Sequence, residues 1–375
     1  MDIRIKKDSI SISLHISFCI FFGTFSRASD VGTVYGSGIV VRAASNFDSI
    51  EDVDRLVDLC AKYNISSISL SFKQDEDDEL PSGTVFYRSK IAPVAKSFTK
   101  EDLLKHLVSK AKSADIKVKA WIPQFHDLVA YKKAVSWQMK VAVDGKVVPI
   151  GISGRDYFVN PIDPKVQEYQ LSIIEEIIKE YEIDEVVLDW IRFDDFNMDL
   201  GEYTRKTYLK VYGYDPLEID FSKDSKRRRE WNLFRAQEIA KYIKKVRERL
   251  KKTKPDLKLG VYILSPAWRE LAQDPSLFDI FADTLYPMSY FDDWGYPVEW
   301  VYGKREDAIL PLVKKRAPTT EIVPVFDIDW EKKTYEKIFC NLPQLDKIEW
   351  FHYGRWGPEE IERVAELSSF IFDCK

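Results

Sequence analysis

The chain has 375 residues, of which 45% are hydrophobic, so it can bury a core of full domain size. Its formal net charge is only −5 and it has no long basic stretch, which argues against a surface for nucleic acid. It has four histidines, none spaced as an H-x-x-x-H pair, and no zinc-like cysteine spacing. We therefore expect neither a metal centre nor a cofactor.

The N-terminal segment differs from the rest of the chain. A basic start precedes a largely apolar run over residues 10–22, and Ser26-Arg27-Ala28 has small residues at the spacing of a signal peptidase site. The run is too short to span a bilayer comfortably, and nothing downstream reaches that length. We predict a signal peptide over residues 1–28, a secreted, periplasmic or cell-surface location, and no membrane segment after cleavage. A signal anchor is the alternative.

Downstream, eight apolar, β-branched or aromatic runs alternate with helical patterns. Such continuous runs are typical of strands that are covered on both faces. Asp163-Pro164 marks one helix start, and Ile173 and Ile177 recur on one helical face. The predicted strands lie at residues 38–43, 66–72, 117–123, 185–193, 258–264, 283–290, 321–326 and 347–353. This alternation predicts an α/β fold with a single (β/α)₈ TIM barrel over residues 29–375. A doubly wound sheet is the alternative, but no glycine-rich phosphate turn follows the first strand.

The connections between these elements have unequal lengths. Segments from a helix to the next strand are short, as at residues 64–65 and 182–184, whereas strand exits are long, as at residues 73–98 and 124–162. In such barrels the strand-exit loops build the active site, and the opposite face maintains the fold. We therefore expect the functional site at the C-terminal ends of the strands.

The fourth strand ends in a dense group of charges. Its apolar run leads into the sequence DWIRFDD, which begins at Asp189. A carboxyl group at the end of an apolar strand is partly desolvated, which raises its pKa unless a cation such as Arg192 is close. Asp189 is thus a candidate catalytic acid, and a structural ion pair is the alternative. Strand alternation separates Asp189 from Arg192, so a contact between them requires a bulge.

Other strand ends supply a second carboxylate and sugar-binding side chains. Asp327 follows the seventh strand and is a second candidate carboxylate at a strand end, although it could equally cap the helix that begins near Glu331. Aromatic rings beside carboxylates suit sugars, because the C–H faces of a sugar stack on rings while its hydroxyl groups bond to acids. The predicted substrate-binding residues are Lys73, Trp121, Gln124, Arg192, Asp194, Tyr290, Asp292, Trp294 and Trp350.

The sequence DEVVLDWIRF at residues 184–193 resembles the fourth-strand motif of the family-10-like glycosylhydrolases. Three further segments are similar to that family, namely GIVVRA at 38–43, YRSKIAP at 87–93 and YPMSY at 286–290. The resemblance spans nearly all of residues 38–356. It implies a glycoside-hydrolase-like barrel, and its motifs are weak indicators of the substrate.

A comparison with chitinase-like family-18 barrels argues against one activity. Those barrels end their fourth strand in D-x-x-D-x-D-x-E, and these positions correspond here to Asp184, Val187, Asp189 and Ile191. Since Ile191 stands where the general-acid glutamate is required, we do not expect an active family-18 chitinase.

These observations lead to one functional prediction and two rivals. We predict a secreted, metal-independent, monomeric glycoside hydrolase that cleaves a polysaccharide or glycan, with Asp189 as acid and Asp327 as the second carboxylate. One rival is a non-catalytic glycan-binding barrel, which would keep the aromatic residues and lose the carboxylate pair. The other is a structural or cell-surface protein for which the barrel is only a scaffold, and a mouth without a groove would favour it.

The cysteines allow a disulfide. Cys19 would leave with the signal peptide, so Cys60, Cys340 and Cys374 remain, and at least one thiol is free or bonded to another chain. Export favours a Cys340–Cys374 bond, with Cys60 as a competing partner.

N-terminal sequencing of the native mature protein is expected to begin near Ser29, because the small residues before it fit a signal peptidase site. Recovery of an intact Met1 terminus from a cytoplasmic fraction would contradict this prediction.

Overall fold

The computed structural model describes residues 36–77, 80–154, 156–354 and 359–373. The predicted signal peptide at residues 1–28, Cys19 and Cys374 lie outside the described residues. Nine parallel strands form the main sheet, and two further strands form an antiparallel hairpin. The strands are β1 (Gly36–Val41), β2 (Ser67–Ser71), β3 (Lys117–Pro123), β4 (Lys140–Val143), β5 (Lys146–Pro149), β6 (Glu185–Asp189), β7 (Lys258–Ile263), β8 (Thr284–Pro287), β9 (Glu321–Ile322), β10 (Val325–Asp327) and β11 (Lys347–Tyr353).

The nine parallel strands close into a ring in the order β10-β11-β1-β2-β3-β6-β7-β8-β9. Strands β9 and β10 are two parts of one interrupted strand, because only Val323 and Pro324 separate them and proline cannot donate a ladder hydrogen bond. Met288 bridges Val325, and the Ser289 amide donates to the Val325 carbonyl at 2.9 Å, which joins β8 to β10. The predicted single TIM barrel is confirmed, with its seventh strand in two parts.

Helices surround this ring. The Asp163 side chain accepts a hydrogen bond from the Lys165 amide at 2.8 Å and Pro164 is the first helical residue, so the predicted start of that helix is confirmed. No helix among the described residues is long and apolar enough to cross a bilayer. The helices are α1 (Ala43–Asn46), α2 (Ile50–Lys62), α3 (Leu103–Ser113), α4 (Leu128–Lys133), α5 (Pro164–Glu180), α6 (Glu202–Tyr212), α7 (Lys226–Thr253), α8 (Glu299–Tyr302), α9 (Ile309–Arg316), α10 (Lys332–Cys340) and α11 (Glu359–Asp373).

The expected alternation of one strand with one helix fails between β7 and β8. Residues 264–283, all of which are described, hold two short 3-10 turns and no α-helix. The other strand exits are long, as expected. The loop after β3 contains α4 and the β4–β5 hairpin, and the loop after β6 contains α6. The additional helices and the hairpin thus lie on the strand-exit side of the barrel, which is the side where the active sites of such barrels are built.

Two hydrophobic cores lie on the two faces of the ring. The larger core fills the space between strands and helices, and the smaller core fills the inside of the barrel with residues such as Val40, Trp121, Val187 and Tyr262. Side chains alternate between these faces along each strand. This alternation decides which residues at a strand end can reach the mouth, by which we mean the C-terminal end of the barrel interior.

The barrel interior beneath the mouth also contains buried charges. The Glu349 carboxylate accepts hydrogen bonds from Lys119 Nζ at 2.6 Å, from Ser69 Oγ at 2.7 Å and from the Tyr262 hydroxyl at 2.8 Å. A buried carboxylate needs such partners, because it has lost its hydration. This group closes the barrel interior below the mouth with polar contacts.

Two glycines make room for the carboxylates of this group. A Cβ atom at Gly260 would lie 2.6 Å from Glu185 Oε1 and 2.6 Å from Tyr286 Cε2, and one at Gly38 would lie 3.1 Å from Glu349 Cγ. The Tyr286 hydroxyl donates to Glu185 Oε2 at 2.8 Å. These interior positions therefore exclude larger residues unless the glutamates move.

The two described cysteines differ in oxidation state. Cys60 on α2 is a buried free thiol, and burial raises its pKa to about 12. Cys340 at the end of α10 is disulfide-bonded, and its partner is not among the described residues. Cys60 is thus not the competing partner, and the pairing with Cys374 stays a prediction.

A buried ion pair links two strand-exit loops. Lys73 Nζ lies 2.7 Å from Asp127 Oδ2, and both side chains are fully buried. Lys73→Met is expected to lower the free energy of unfolding by about 3–5 kcal/mol, because it leaves the Asp127 carboxylate buried without its cation. Denaturant unfolding would measure the change.

Lys226→Met is the control for that measurement, since Lys226 faces Glu230 at 3.6 Å in an exposed pair. This variant should unfold almost as the unsubstituted protein does. Equal losses in the two variants would contradict a stabilising role for the buried pair.

Candidate active site

A cavity of about 280 Å³ opens at the mouth of the barrel. It is surrounded by the C-terminal ends of the strands and by the exit loops, as the unequal connection lengths predicted. It combines carboxylates, arginines and aromatic rings. The lining residues are Val40, Arg42, Asp75, Glu76, Trp121, Asp189, Trp190, Arg192, Tyr262, Leu264, Met288, Tyr290, Trp294 and Phe351.

Asp189 is the last residue of β6, and its side chain faces this cavity. It is 8% exposed and accepts hydrogen bonds from Trp121 Nε1 at 2.9 Å and from the Trp190 amide at 2.6 Å. Burial raises the pKa of the Asp189 carboxyl, and these two hydrogen bonds oppose the shift. Asp189 therefore combines a desolvated carboxyl group with access to a ligand.

The backbone after Asp189 explains how neighbouring side chains reach one cavity. β6 ends at Asp189, short of the predicted strand end, because Trp190 adopts a left-handed conformation with φ of 49°. This turn breaks the strand alternation, so Trp190 and Arg192 line the cavity together with Asp189. The Arg192 guanidinium lies 4.3 Å from the centre of the Trp190 ring and pairs with Asp194 at the rim.

A second carboxylate in the cavity comes from the loop after β2. Asp75 is 3% exposed, and its Oδ2 lies 2.6 Å from Arg42 Nη2. Burial raises the pKa of Asp75 to about 6 against the opposing charge of Arg42, and the negative charge of Asp189 contributes to the rise. Glu76 lies 3.2 Å from the same arginine nitrogen and is half exposed.

Sequence reasoning missed Asp75, Glu76 and Arg42. Asp75 and Glu76 stand at the start of a run of five acidic residues, which looks like a solvated loop. Their position in the chain could have identified them, because Asp75 follows the predicted end of the second strand by only three residues. Arg42 follows β1 directly and gave the same signal at the first strand end.

Asp327 is not among the described residues that line the cavity. Its Oδ1 accepts a hydrogen bond from the Asp329 amide at 3.1 Å, and its carbonyl accepts one from the Tyr335 hydroxyl at 2.5 Å. Glu331 is the N-cap of α10 and makes no side-chain capping bond. The cavity lining therefore contains Asp189 without Asp327, and the predicted catalytic role of Asp327 stays a prediction. The Asp327 carboxylate closes a turn before α10.

Aromatic rings form much of the cavity wall. The predicted residues Trp121, Tyr290 and Trp294 line it, and Trp190 and Phe351 line it with them. The Tyr290 ring lies 5.6 Å from that of Trp294 and 5.4 Å from that of Phe351. These rings offer the flat apolar surfaces on which the C–H faces of a sugar stack.

Two predicted ligand-binding residues lie beneath the loops instead. Lys73 is fully buried, and besides pairing with Asp127 it donates to Gln170 Oε1 at 2.8 Å. Gln124 is fully buried and accepts a hydrogen bond from the Tyr242 hydroxyl at 2.6 Å, so it faces α7. Both side chains connect parts of the fold, and their polar groups are occupied by the protein itself.

Trp350 and Asp292 are also not among the described residues that line the cavity. Trp350 is 1% exposed, faces the outer core, and donates from Nε1 to Ser37 Oγ at 3.0 Å. Alternation along β11 explains this, since its neighbour Glu349 faces inward. Asp292 accepts a hydrogen bond from Trp330 Nε1 at 2.7 Å. Within the described ranges, no group of three or more His, Cys, Asp or Glu side chains is arranged to hold a metal ion.

Two solved structures that are similar in fold come from proteins that act on glycosidic bonds by their names. The glycoside hydrolase domain of PgaB (BpsB) from Bordetella bronchiseptica superposes with a TM-score of 0.70 at 12% identity, over 88% of this chain and 98% of that domain. The α-L-fucosidase isoenzyme 2 from Paenibacillus thiaminolyticus superposes with a TM-score of 0.60 at 12% identity, over 90% of this chain and 49% of that one. At these identities the likeness concerns the fold.

Sequence comparison identifies the family. Glycosyl hydrolase DigH from Escherichia coli O6:H1 is 26% identical over 323 residues, which cover 78% of this chain and 67% of the relative. DigH from Escherichia coli K12 is 23% identical over the same shares. The model of the family described as glycosyl hydrolase-like 10 matches residues 54–305, in agreement with the resemblance seen in the strand motifs. The chain belongs to the glycosyl hydrolase-like 10 family.

Proposed function

We propose that the protein is a glycoside hydrolase that cleaves a polysaccharide or glycan outside the cytoplasm, with Asp189 as general acid and Asp75 as the second carboxylate. One observation carries the proposal. Two buried carboxyl groups, Asp189 and Asp75, line a single aromatic-walled cavity at the strand ends, and only Asp75 is in contact with a cation there.

Glycoside hydrolysis requires one protonated and one ionised carboxyl group. The acid donates a proton to the leaving glycosidic oxygen, and the carboxylate activates water or attacks the sugar. Burial raises the pKa of the Asp189 carboxyl, because desolvation disfavours its charged form, and the hydrogen bonds from Trp121 and Trp190 offset this shift only in part. The Arg42 charge favours the ionised form of Asp75. The different surroundings of Asp189 and Asp75 thus favour the role of acid for the first and of carboxylate for the second.

The cavity wall supports a carbohydrate as the ligand. Trp121, Tyr290 and Trp294 supply rings for the C–H faces of the sugar, while Asp75 and Arg192 offer hydrogen-bonding groups for hydroxyl groups. The family and the fold agree with this class of substrate. The predicted signal peptide at residues 1–28 supports action on material outside the cytoplasm.

Asp189→Asn is expected to lower turnover by a factor of roughly 10²–10⁴, which is the usual contribution of acid–base catalysis. Asparagine keeps the size of the side chain but has one acceptor oxygen where Asp189 uses two, so the protein should still fold and bind sugar with a modest loss of thermal stability. A panel of glycans and polysaccharides, analysed for released reducing ends, measures the effect. Asp220→Asn is the matched control, because Asp220 lies on the exposed surface beside Lys223.

Two outcomes of that panel would contradict the proposal. Full turnover in the Asp189→Asn protein would remove Asp189 as the acid. Saturable sugar binding without cleavage by the unsubstituted protein would instead indicate a non-catalytic glycan-binding barrel.

The pH dependence tests the assignment of Asp75. Its pKa of about 6 lies above the ordinary value, and the proposed role needs the ionised form. The value of kcat/KM should therefore rise as pH increases through about 6, and should fall at higher pH when Asp189 loses its proton. Asp75→Asn is expected to lower turnover strongly at every pH.

Asp327→Asn distinguishes the two candidate partners. It should retain turnover and the same pH profile, because the Asp327 carboxylate closes a turn outside the cavity. The proposal for Asp75 is wrong if the Asp327 variant is inactive while the Asp75 variant turns over normally.

A further inference from the structure

Arg42 connects the first strand to the acidic loop of the cavity. It follows the last residue of β1 and has an extended backbone conformation, with φ of −81° and ψ of 114°. Its Nη2 atom lies 2.6 Å from Asp75 Oδ2 and 3.2 Å from Glu76 Oε1. Its guanidinium carbon lies 5.6 Å from the centre of the Phe351 ring. One cation thus contacts two consecutive carboxylates at the cavity edge.

The two buried carboxyl groups differ in what they contact. Asp189 accepts from two neutral donors, the indole of Trp121 and the amide of Trp190. Asp75 pairs directly with Arg42. Neutral hydrogen-bond donors and a full charge both favour an ionised carboxylate, and the full charge at contact distance has the larger effect in a desolvated site. The charges of Arg192 and Arg42 also lower the pKa of Asp189, but from a distance, whereas Arg42 is in direct contact with Asp75. The asymmetry between the two carboxyl groups therefore follows from which of them Arg42 contacts.

The other charged groups around Asp75 act against its ionisation. Glu76 follows it on the same loop, and Asp189 faces it from β6, and both carry negative charge when ionised. His126, after β3, donates from Nδ1 to the Asp75 carbonyl at 2.5 Å, and its Nε2 lies 3.7 Å from Asp77. His126 therefore holds the backbone of the loop, and Arg42 is the cation that contacts the Asp75 carboxylate.

We propose that Arg42 is the positioning residue that holds Asp75 in place and in its ionised form, so that Asp189 retains the proton. This inference rests on the proposed glycoside hydrolase function. Without the Arg42 charge, Asp75 would be a desolvated carboxyl group between Glu76 and Asp189, and it would take up a proton near neutral pH. The cavity would then hold two acids and no base.

The test titrates Asp75 directly. Protein labelled with carbon-13 at the aspartate carboxyl carbons is followed by NMR as a function of pH, and Asp75→Asn and Asp189→Asn identify the two signals. In Arg42→Gln the Asp75 midpoint should rise by about 1–3 pH units, the usual effect of losing an adjacent opposite charge. Arg42→Lys should restore most of the original midpoint, because the cation is retained.

The pH dependence of kcat/KM provides a second measurement of the same effect. In Arg42→Gln the acid limb of kcat/KM should move to higher pH by the same interval as the Asp75 midpoint, a change that a loss of packing alone would not produce. Arg305→Gln is the control, since Arg305 pairs with Asp307 at the surface, and it should leave both measurements unchanged.

Glu76→Gln keeps the inference testable if Arg42→Gln does not fold. Glu76 is half exposed and competes for the same arginine nitrogen, so its neutralisation should lower the Asp75 midpoint. An Asp75 midpoint that is unchanged in Arg42→Gln, or that does not fall in Glu76→Gln, overturns the role of Arg42. If the midpoints move as expected and no glycan is cleaved, the proposed hydrolase function fails while the control of Asp75 by Arg42 is supported.

Discussion

The alternation of side chains around a closed ring of parallel strands is the constraint on which the rest of the structure depends. Each strand residue faces either the barrel interior or the helical layer, and a shift by one residue exchanges these environments. Glu349 and Trp350 illustrate the consequence. Glu349 enters the polar interior group with Lys119, and Trp350 packs outside on the helices. The cavity exists where this alternation ends, at the turn that Trp190 makes after β6.

Burial gives the carboxyl groups of the mouth their chemical character. A solvated carboxylate without partners titrates near pH 4, whereas a desolvated carboxyl group has a raised pKa that each nearby donor or positive charge opposes. Asp189 and Asp75 lie in one cavity and still have different partners, two neutral donors against one guanidinium. Acid–base chemistry with two residues of the same type depends on such a difference in surroundings.

The sequence was sufficient for the architecture and for part of the site. Continuous apolar runs and unequal connections predicted the barrel and its functional face, because burial on both faces of a strand leaves a clear pattern. Asp189, Trp121, Tyr290 and Trp294 were placed in the cavity by their positions at strand ends. The helix expected between β7 and β8 was wrong, since the 3-10 turns there span a length similar to that of a helix.

The remaining errors have physical causes. Gln124 and Lys73 lie in loops just beyond strand ends, where no periodicity indicates which way a side chain points. Asp327 has two uses that look the same in sequence, a catalytic carboxylate or a turn-closing acceptor, and the fold shows a hydrogen bond of the second kind. Asp75 was not identified because it lies in a run of acidic residues, which by composition looks like a solvated loop. Composition does not show that one residue of the run pairs with a distant cation, as Asp75 does with Arg42.

The glycines of the barrel interior limit which amino-acid substitutions the protein can accept. Gly260 leaves the space that Glu185 occupies, so a larger residue there displaces a carboxylate that has no water to receive it. A larger residue at Gly38 would first meet Ser67 Oγ at 2.5 Å and would also press on Glu349, whose Cγ would lie at 3.1 Å. The converse also holds, since a smaller residue in place of either glutamate leaves a void and an unpaired partner. The glycines and the glutamates therefore form an interdependent set, and substitutions in relatives should replace them together and not one at a time.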